Sequence, residues 1–244
     1  MTTPTDASRP RVVVVTGAAS GIGHAAATRF AALGDTVFGL DLADTVPAGV
    51  EHVACDVSDR TAVEAAIAHA ATEGRIDVLA NVAGIVQFGR LETITDAQWE
   101  RTLAVDLKGP FLTMQAALPH LRAAQGNVVN VASVAGRIPQ PYVAAYAAAK
   151  GGLVQMTRSL ALELAPDAVR VNCVCPGTVD TPLVGQVAES MPDDLDPRAS
   201  DRLMMMLPHG VMTPDEVAAS IVYLASADAR SVTGAVLAID GAMG

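Results

Sequence analysis

The sequence predicts an α/β protein built on one doubly wound, parallel sheet of about seven strands with helices on both faces. Three observations carry this expectation. From Arg11 onward, short Val-rich runs alternate with longer Ala-rich periodic segments, the pattern of repeated strand-helix units. The apolar runs are continuous rather than alternating, as suits strands covered on both faces. The first of them passes through a Gly-rich turn straight into a helix. The chain has 244 residues, 51% hydrophobic and 17% charged, which excludes a disordered, fibrous or disulfide-scaffold protein. Aromatic residues supply only 3%, so the apolar share rests on Ala, Val and Leu, small side chains suited to close packing of helix on sheet.

Taken in order, the strands are expected at residues 12–16, 36–41, 52–56, 77–81, 127–133, 170–175 and 235–239. Residues 1–10 lack an apolar core and read as a flexible tail, leaving 11–244 as a single nucleotide-binding and catalytic domain. Two helices announce their starts by capping boxes, Thr95 to Gln98 and Thr213 to Glu216, the second with Pro214 at its first position. Spacing predicts two longer helices over about 108–124 and 142–164. Residues 183–212 break the alternation. They are rich in Met, Pro and Asp, follow the carboxyl end of a strand, and are expected to form a substrate lid, with Met191, Met204, Met205, Met206 and Met212 suited to an apolar ligand.

A formal charge of -10, with no run of Lys or Arg, argues against a nucleic-acid partner, whose affinity would come from phosphate neutralisation. No apolar stretch is long enough for a membrane span. Cys55, Cys173 and Cys175 sit in small apolar runs, so buried reduced thiols and a cytoplasmic location are expected. No His or further Cys follows at metal-ligand spacing, and no metal site is expected.

Val12-Val-Val-Val-Thr16 leads into Gly17-Ala-Ala-Ser20-Gly21-Ile22-Gly23. Gly17 permits a tight turn, Gly21 lets backbone approach a pyrophosphate, and Gly23 lets the helix pack close to the sheet. The phosphates would lie at the helix amino terminus, where free N–H groups and the macrodipole favour negative charge. Asp41 ends the second strand, where a carboxylate can accept hydrogen bonds from an adenosine ribose and would repel a 2′-phosphate. Neither Ala18, Ala19 nor Leu42 offers the cation that NADP would need, so NAD is the expected cofactor.

Tyr146 and Lys150 fall one helical turn apart on a shared face. A tyrosine has an ordinary pKa of about 10, and bringing it to about 7 requires roughly 4 kcal/mol of preferential stabilisation of the phenolate. An ammonium at about 4 Å supplies attraction of that order. Ser133, at the end of a buried strand, can hold a carbonyl or alcohol oxygen beside them.

These features form an ordered set: Thr16-Gly17-x-x-x-Gly21-x-Gly23, Asp56-Val57, Asn81-Val82-Ala83-Gly84, Ser133, Tyr146-x-x-x-Lys150, Pro176-Gly177 and Asp240-Gly241. From Arg11 to Gly241 the chain resembles the short-chain dehydrogenase/reductase family, in its single-domain, NAD-dependent branch with a Rossmann-like sheet. The resemblance implies hydride transfer between NAD and a secondary alcohol or ketone. Tyr146 would be the general acid/base, Ser133 would position the oxygen, and Lys150 would bind ribose hydroxyls while lowering the Tyr pKa. Asp56 and Val57 would flank the adenine, and Ser20, Ile22, Asp41 and Leu42 would line the turn and ribose site. Asn81, Ala83 and Gly84 would line the cleft, and Pro176, Gly177, Val179 and Thr181 would hold the nicotinamide. A dimer or tetramer through the two long helices is also implied.

Two positions depart from the family pattern. Val82 stands where a second Asn is usual, and Asp106 stands at the fourth position of the catalytic set, normally Asn. The family uses the main-chain carbonyl there, so a working proton relay is expected, and a carboxylate near Lys150 would favour its charged form. The run Val171 to Pro182 is similar to the cytosolic type 2 3-hydroxybutyrate dehydrogenase group, yet Gln140-Pro-Tyr-Val143 carries no cation for a substrate carboxylate. An apolar or alicyclic alcohol or ketone is therefore expected. The alternatives are a small hydroxy acid, a 3-oxoacyl thioester, or a catalytically silent NAD sensor.

Overall fold

The computed structural model describes residues 9–71, 74–185, 198, 205–208 and 210–243. Its strands are β1 (Val12–Thr16), β2 (Thr36–Asp41), β3 (Val50–Ala54), β4 (Val78–Asn81), β5 (Asn127–Val131), β6 (Arg170–Pro176) and β7 (Val236–Ile239). Its helices are α1 (Gly21–Ala32), α2 (Arg60–Ala70), α3 (Asp96–Leu103), α4 (Gly109–Ala124), α5 (Ala144–Leu164) and α6 (Pro214–Leu224). The seven strands form one sheet in the order β3-β2-β1-β4-β5-β6-β7, and every pairing is parallel. The expected fold class is therefore observed.

Alternation along β1 splits the core. Val13 and Val15 pack on the side of α1 and α6 with Phe30, Ile221 and Leu224. Val12 and Val14 pack on the opposite side with Ile67, Leu112 and Leu121 of α2 and α4. Both faces of each central strand are thus dry, which accounts for its unbroken valines. Asp59 caps α2 by accepting from Ala62 N, and the expected capping boxes at Thr95 and Thr213 are both formed.

β4, β6 and β7 differ from expectation by one residue at one end, and four other elements differ for a local reason. The third strand runs over Val50–Ala54 rather than 52–56, because its pairing with β2 starts at Val37 opposite Val50. Asp56 then folds back, its carboxylate accepting from Ser58 N and Ser58 Oγ. β5 stops at Val131 as Ser133 turns to accept from Ala135 N. The helix expected from residue 142 starts at Ala144, since Tyr142 lies in the left-handed region at φ 65°. The helix expected from residue 108 belongs to a longer run: α3 passes through a π-helical turn, Ala104–Lys108, into α4. Such a turn widens the hydrogen-bond spacing and re-aims the residues it contains. Here it turns Asp106 into the protein.

The chain moves outward from β1 to β2 and β3, then returns to β4 beside β1. That reversal leaves a crevice beyond the carboxyl ends of β1 and β4, the usual place for ligands in an open α/β sheet. Thr16 Oγ braces it by accepting from Val82 N at 2.9 Å and Ala83 N at 3.0 Å.

Candidate active site

Two adjoining cavities occupy this crevice. The first, about 290 Å³, is lined by the turn residues Gly17, Ser20, Gly21, Ile22 and Gly23, with Ala83 and Gly84 opposite. Gly17 has φ 70°, and a Cβ there would come within 2.8 Å of Ala83 Cα. At Gly23 a Cβ would lie 2.0 Å from Gly17 O, so the turn and helix can approach only without side chains. Ser20 gives α1 no side-chain cap and the first turn carries no acid, which leaves amide donors available toward the cavity. This cradle fits a dinucleotide pyrophosphate.

At the far wall of the same cavity lie Asp41, Leu42, Asp56 and Val57. Asp41 accepts from Ala19 N at 3.0 Å and Ala43 N at 3.1 Å, so its carboxylate ties the Gly-rich turn to the end of β2 at the cavity wall. Arg101 also lines the wall, a cation that sequence reasoning missed. It is engaged beside Asp56, donating to Ser58 Oγ at 2.8 Å and to Asp56 Oδ2 at 3.3 Å. Nothing local marks Arg101, because α3 is far from Asp56 in the chain. The hydrogen bonds to Ser58, and less strongly Arg101, hold the Asp56 carboxyl below the usual carboxylate range despite partial burial.

The second cavity, about 450 Å³, shares Ile22, Val82, Gly84, Thr181 and Leu183 with the first. Ser133, Tyr146, Lys150, Pro176, Gly177 and Val179 all line it. The structure thus brings together the expected cofactor and catalytic positions, with one exception. Asn81 is turned away: its amide donates to Asn130 Oδ1 at 2.9 Å, and its carbonyl oxygen accepts from Thr113 at 2.7 Å. Its side chain locks β4 to β5 and α4 rather than lining the cleft, because a buried amide must find partners where it lies.

Tyr146 is half-buried on α5 and shares the lining of this cavity with Ser133. Lys150 Nζ sits 5.6 Å from the centre of the Tyr146 ring. It donates to Val131 O at 3.0 Å and pairs with Asp106 Oδ1, also at 3.0 Å. Asp106 accepts in addition from Ile85 N, at 3.3 Å to each oxygen. Burial pushes the Asp106 carboxyl up, against the pull of Lys150 and the Ile85 N–H. Burial also works against the Lys150 ammonium, but Asp106 and Tyr146 outweigh it and hold Lys150 above its ordinary value.

Lys150 pulls the Tyr146 phenol down, in the expected direction. Burial is the strongest influence and pushes the phenol up, and Asp106 adds to it; Lys150 and Ser133 only partly offset them. As expected, the carboxylate at residue 106 meets Lys150 and favours its charged form.

Beyond these groups the second cavity is walled by Val86, Phe88, Val143, Val184, Met205 and Met243. Among its described lining residues, Lys150 is the only charged one. Arg137, the nearest cation to Ser133 in the chain, is paired with Asp240 at 3.0 Å. The lid expectation is divided. Met205 reaches the cavity, Met206 is exposed, Met212 is buried in the core beside Val217, and Met191 and Met204 lie outside the described residues. Met243 was missed, because its place depends on where the last strand ends. The three cysteines are free and buried, as expected. No cluster of metal-ligating side chains occurs among the described residues, and none of their helices is long and apolar enough to cross a membrane.

A family model described as Enoyl-(Acyl carrier protein) reductase matches residues 17–243. Meso-2,3-butanediol dehydrogenase of Serratia marcescens is 40% identical over 245 residues, covering 95% of this chain and 93% of that protein. 2-(R)-Hydroxypropyl-CoM dehydrogenase of Xanthobacter autotrophicus is 39% identical over 250 residues, covering 95% of this chain and 98% of that protein. Among solved structures, 3-ketoacyl-(acyl-carrier-protein) reductase from Brucella melitensis, complexed with NADH, aligns with a TM-score of 0.84 at 30% identity, covering 96% of this chain and 98% of that one. Together with the parallel seven-stranded sheet and the cavity shared by its glycine turn and its Ser133, Tyr146 and Lys150 side chains, these likenesses establish that the chain belongs to the short-chain dehydrogenase/reductase family of oxidoreductases.

Proposed function

We propose that this protein is an NAD(H)-dependent oxidoreductase that interconverts an apolar or alicyclic secondary alcohol and its ketone. The observation that carries the reading is that Ser133, Tyr146 and Lys150 together line an apolar cavity of about 450 Å³ whose lining is continuous with the cavity of the glycine turn. Bound nicotinamide supplies or accepts the hydride at the carbinol carbon. Ser133 holds the substrate oxygen, and Tyr146 gives it a proton during reduction or takes one during oxidation. Lys150 steadies the tyrosinate that results and has an N–H to spare for ribose hydroxyls, since an ammonium has three donors and two are engaged by Asp106 and Val131.

The choice of NAD rests on Asp41, whose carboxylate disfavours a 2′-phosphate, and on the engagement of Arg101 with Asp56 and Ser58. The meso-2,3-butanediol of one relative is itself a secondary alcohol. A small hydroxy acid fits less well, because no cation other than Lys150 lines the described part of the substrate cavity. Pairing of α4 and α5 between copies, as a dimer or tetramer, would cover exposed Phe111 and Leu162. Buried free thiols suit a cytoplasmic setting.

The test is NAD reduction and NADH oxidation over a panel of neutral secondary alcohols and ketones. Tyr146→Phe is expected to lower turnover by about 10²–10⁴-fold while leaving NADH binding intact. Tight NADH binding with no turnover on any compound would instead support a silent sensor.

A further inference from the structure

We propose that Arg137 and Asp240 are positioning residues for substrate specificity. Their ion pair holds the turn of residues 240–243, after β7, as a fastener that sets Met205 and Met243 against the substrate cavity and so fixes the size of ketone the cavity takes. The inference rests on the oxidoreductase reading above and adds to it a control of substrate size that lies outside the cavity lining.

The turn has a backbone that must be held. Gly241 and Ala242 both lie in the left-handed region, at φ 57° and 64°. Glycine adopts that region freely, whereas the Cβ of alanine opposes it. The Asp240 side chain, 8% exposed, secures the turn with both of its oxygens. Oδ1 accepts from Ala242 N at 3.1 Å, and Oδ2 accepts from Arg137 Nη1 at 3.0 Å. The Asp240 carbonyl closes the turn by accepting from Met243 N at 3.2 Å. A carboxylate so buried depends on its cation, because an unpaired charge there is poorly solvated.

The two sides of the fastener reach different parts of the site. Arg137 ends a tight turn that begins at Ser133: Gly136 N donates to Ser133 O at 3.0 Å and Arg137 N to Val134 O at 2.9 Å. This turn rests directly on α5, where a Cβ at Gly136 would come within 2.7 Å of Lys150 O, so the Arg137 anchor is rigid. On the other side, Gly241 O accepts from Met206 N at 2.8 Å and from Leu207 N at 3.2 Å. Those bonds seat Met205 on the turn, where a Cβ at Gly241 would stand 2.5 Å from Met205 Cε.

Met205 and Met243 line the substrate cavity, and Arg137 and Asp240 do not, so the pair acts only through what it holds. Flexible thioethers form a fixed apolar wall only where the backbone beneath them is fixed. Loosening the pair releases both side chains together. A well-fitting ketone then loses contacts, while a bulky one gains room. None of these four residues lines the cavity of the glycine turn, so cofactor binding is independent of the pair.

The test is Arg137→Gln, measured by NADH oxidation over alicyclic ketones of graded size together with the NADH dissociation constant. KM for the best-fitting ketone is expected to rise about tenfold with kcat little changed, KM for the bulkiest to hold or fall, and NADH affinity to stay the same. In a background carrying Met205→Ala and Met243→Ala, the same substitution should leave the size preference where it is. An equal loss across the series overturns the proposal, as does a folded Arg137→Gln with the wild-type preference, or a further shift in the double-alanine background. Hydrogen exchange of the wild type needs no variant: the Met206 and Leu207 amides should be protected, and exchange at the rate of an open peptide overturns the proposal even if Arg137→Gln does not fold. If the wild type turns over no ketone, the size preference is read from the binding of the matching alcohols to the NADH-loaded protein. A preference there that Arg137→Gln relaxes supports the fastener and overturns the oxidoreductase reading, whereas binding of none of the alcohols overturns both.

Discussion

Lys150 Nζ lies 3.0 Å from Asp106 Oδ1 with almost no solvent access to either side chain. Two buried charges are costly to desolvate, and removing one partner leaves the other uncompensated. Asp106→Ala is therefore expected to destabilise the fold by about 3–5 kcal/mol, read as a lower midpoint in urea unfolding at neutral pH. Asp106→Asn keeps a polar group that can accept from Ile85 N and Lys150, so its loss should be smaller. An Asp106→Ala protein as stable as the wild type would show that the pair is not ionised in the folded state.

Cofactor choice is expected to turn on the end of β2. Leu42 is 69% exposed and lines the glycine-turn cavity beside Asp41. The double change Asp41→Ser with Leu42→Arg removes a repelling carboxylate and supplies a guanidinium for a 2′-phosphate. A charged hydrogen bond contributes about 1.5–3 kcal/mol, so the ratio of kcat/KM for NADP to that for NAD should rise at least about tenfold. An unchanged ratio would relocate the ribose site. Because Asp41 also accepts from Ala19 N, some loss of total activity is expected in the same variant.

Substrate size should be set where Met205 and Met243 meet the cavity. Their flexible thioethers fill irregular apolar space, and each truncation to Ala enlarges it. Met243→Ala and Met205→Ala are each expected to raise KM for a well-fitting alicyclic ketone by about 1–3 kcal/mol equivalents while improving bulkier ones. Equal effects on every ketone of the panel would mean that the two methionines act through folding. Gly177 restricts the alternative placements, since a Cβ there would come within 2.7 Å of Met243 Sδ.

Much of this protein was legible from local chemistry. Gly17, Gly21 and Gly23 follow a buried strand and precede a helix, and their tasks follow from backbone sterics alone. Tyr146 and Lys150 share a helix face because of the helical period. The capping boxes at Thr95 and Thr213 form because their partners are three residues away. Strand ends were less legible. β3 takes its bounds from pairing with β2, and the start of α5 from the left-handed turn at Tyr142.

By itself, then, the sequence determined the sheet class, the glycine cradle and the shared helix face of Tyr146 and Lys150, since each depends on neighbours within a helical turn or a strand. The tertiary structure alone decided that Asp106 would pair with Lys150, that Arg101 would brace Asp56, that Asn81 would face inward, and that Met243 would reach the substrate cavity. The reason is physical: these meetings depend on a π-helical turn, on β4 returning beside β1, and on where β7 ends. No periodicity or short-range spacing encodes those long-range choices.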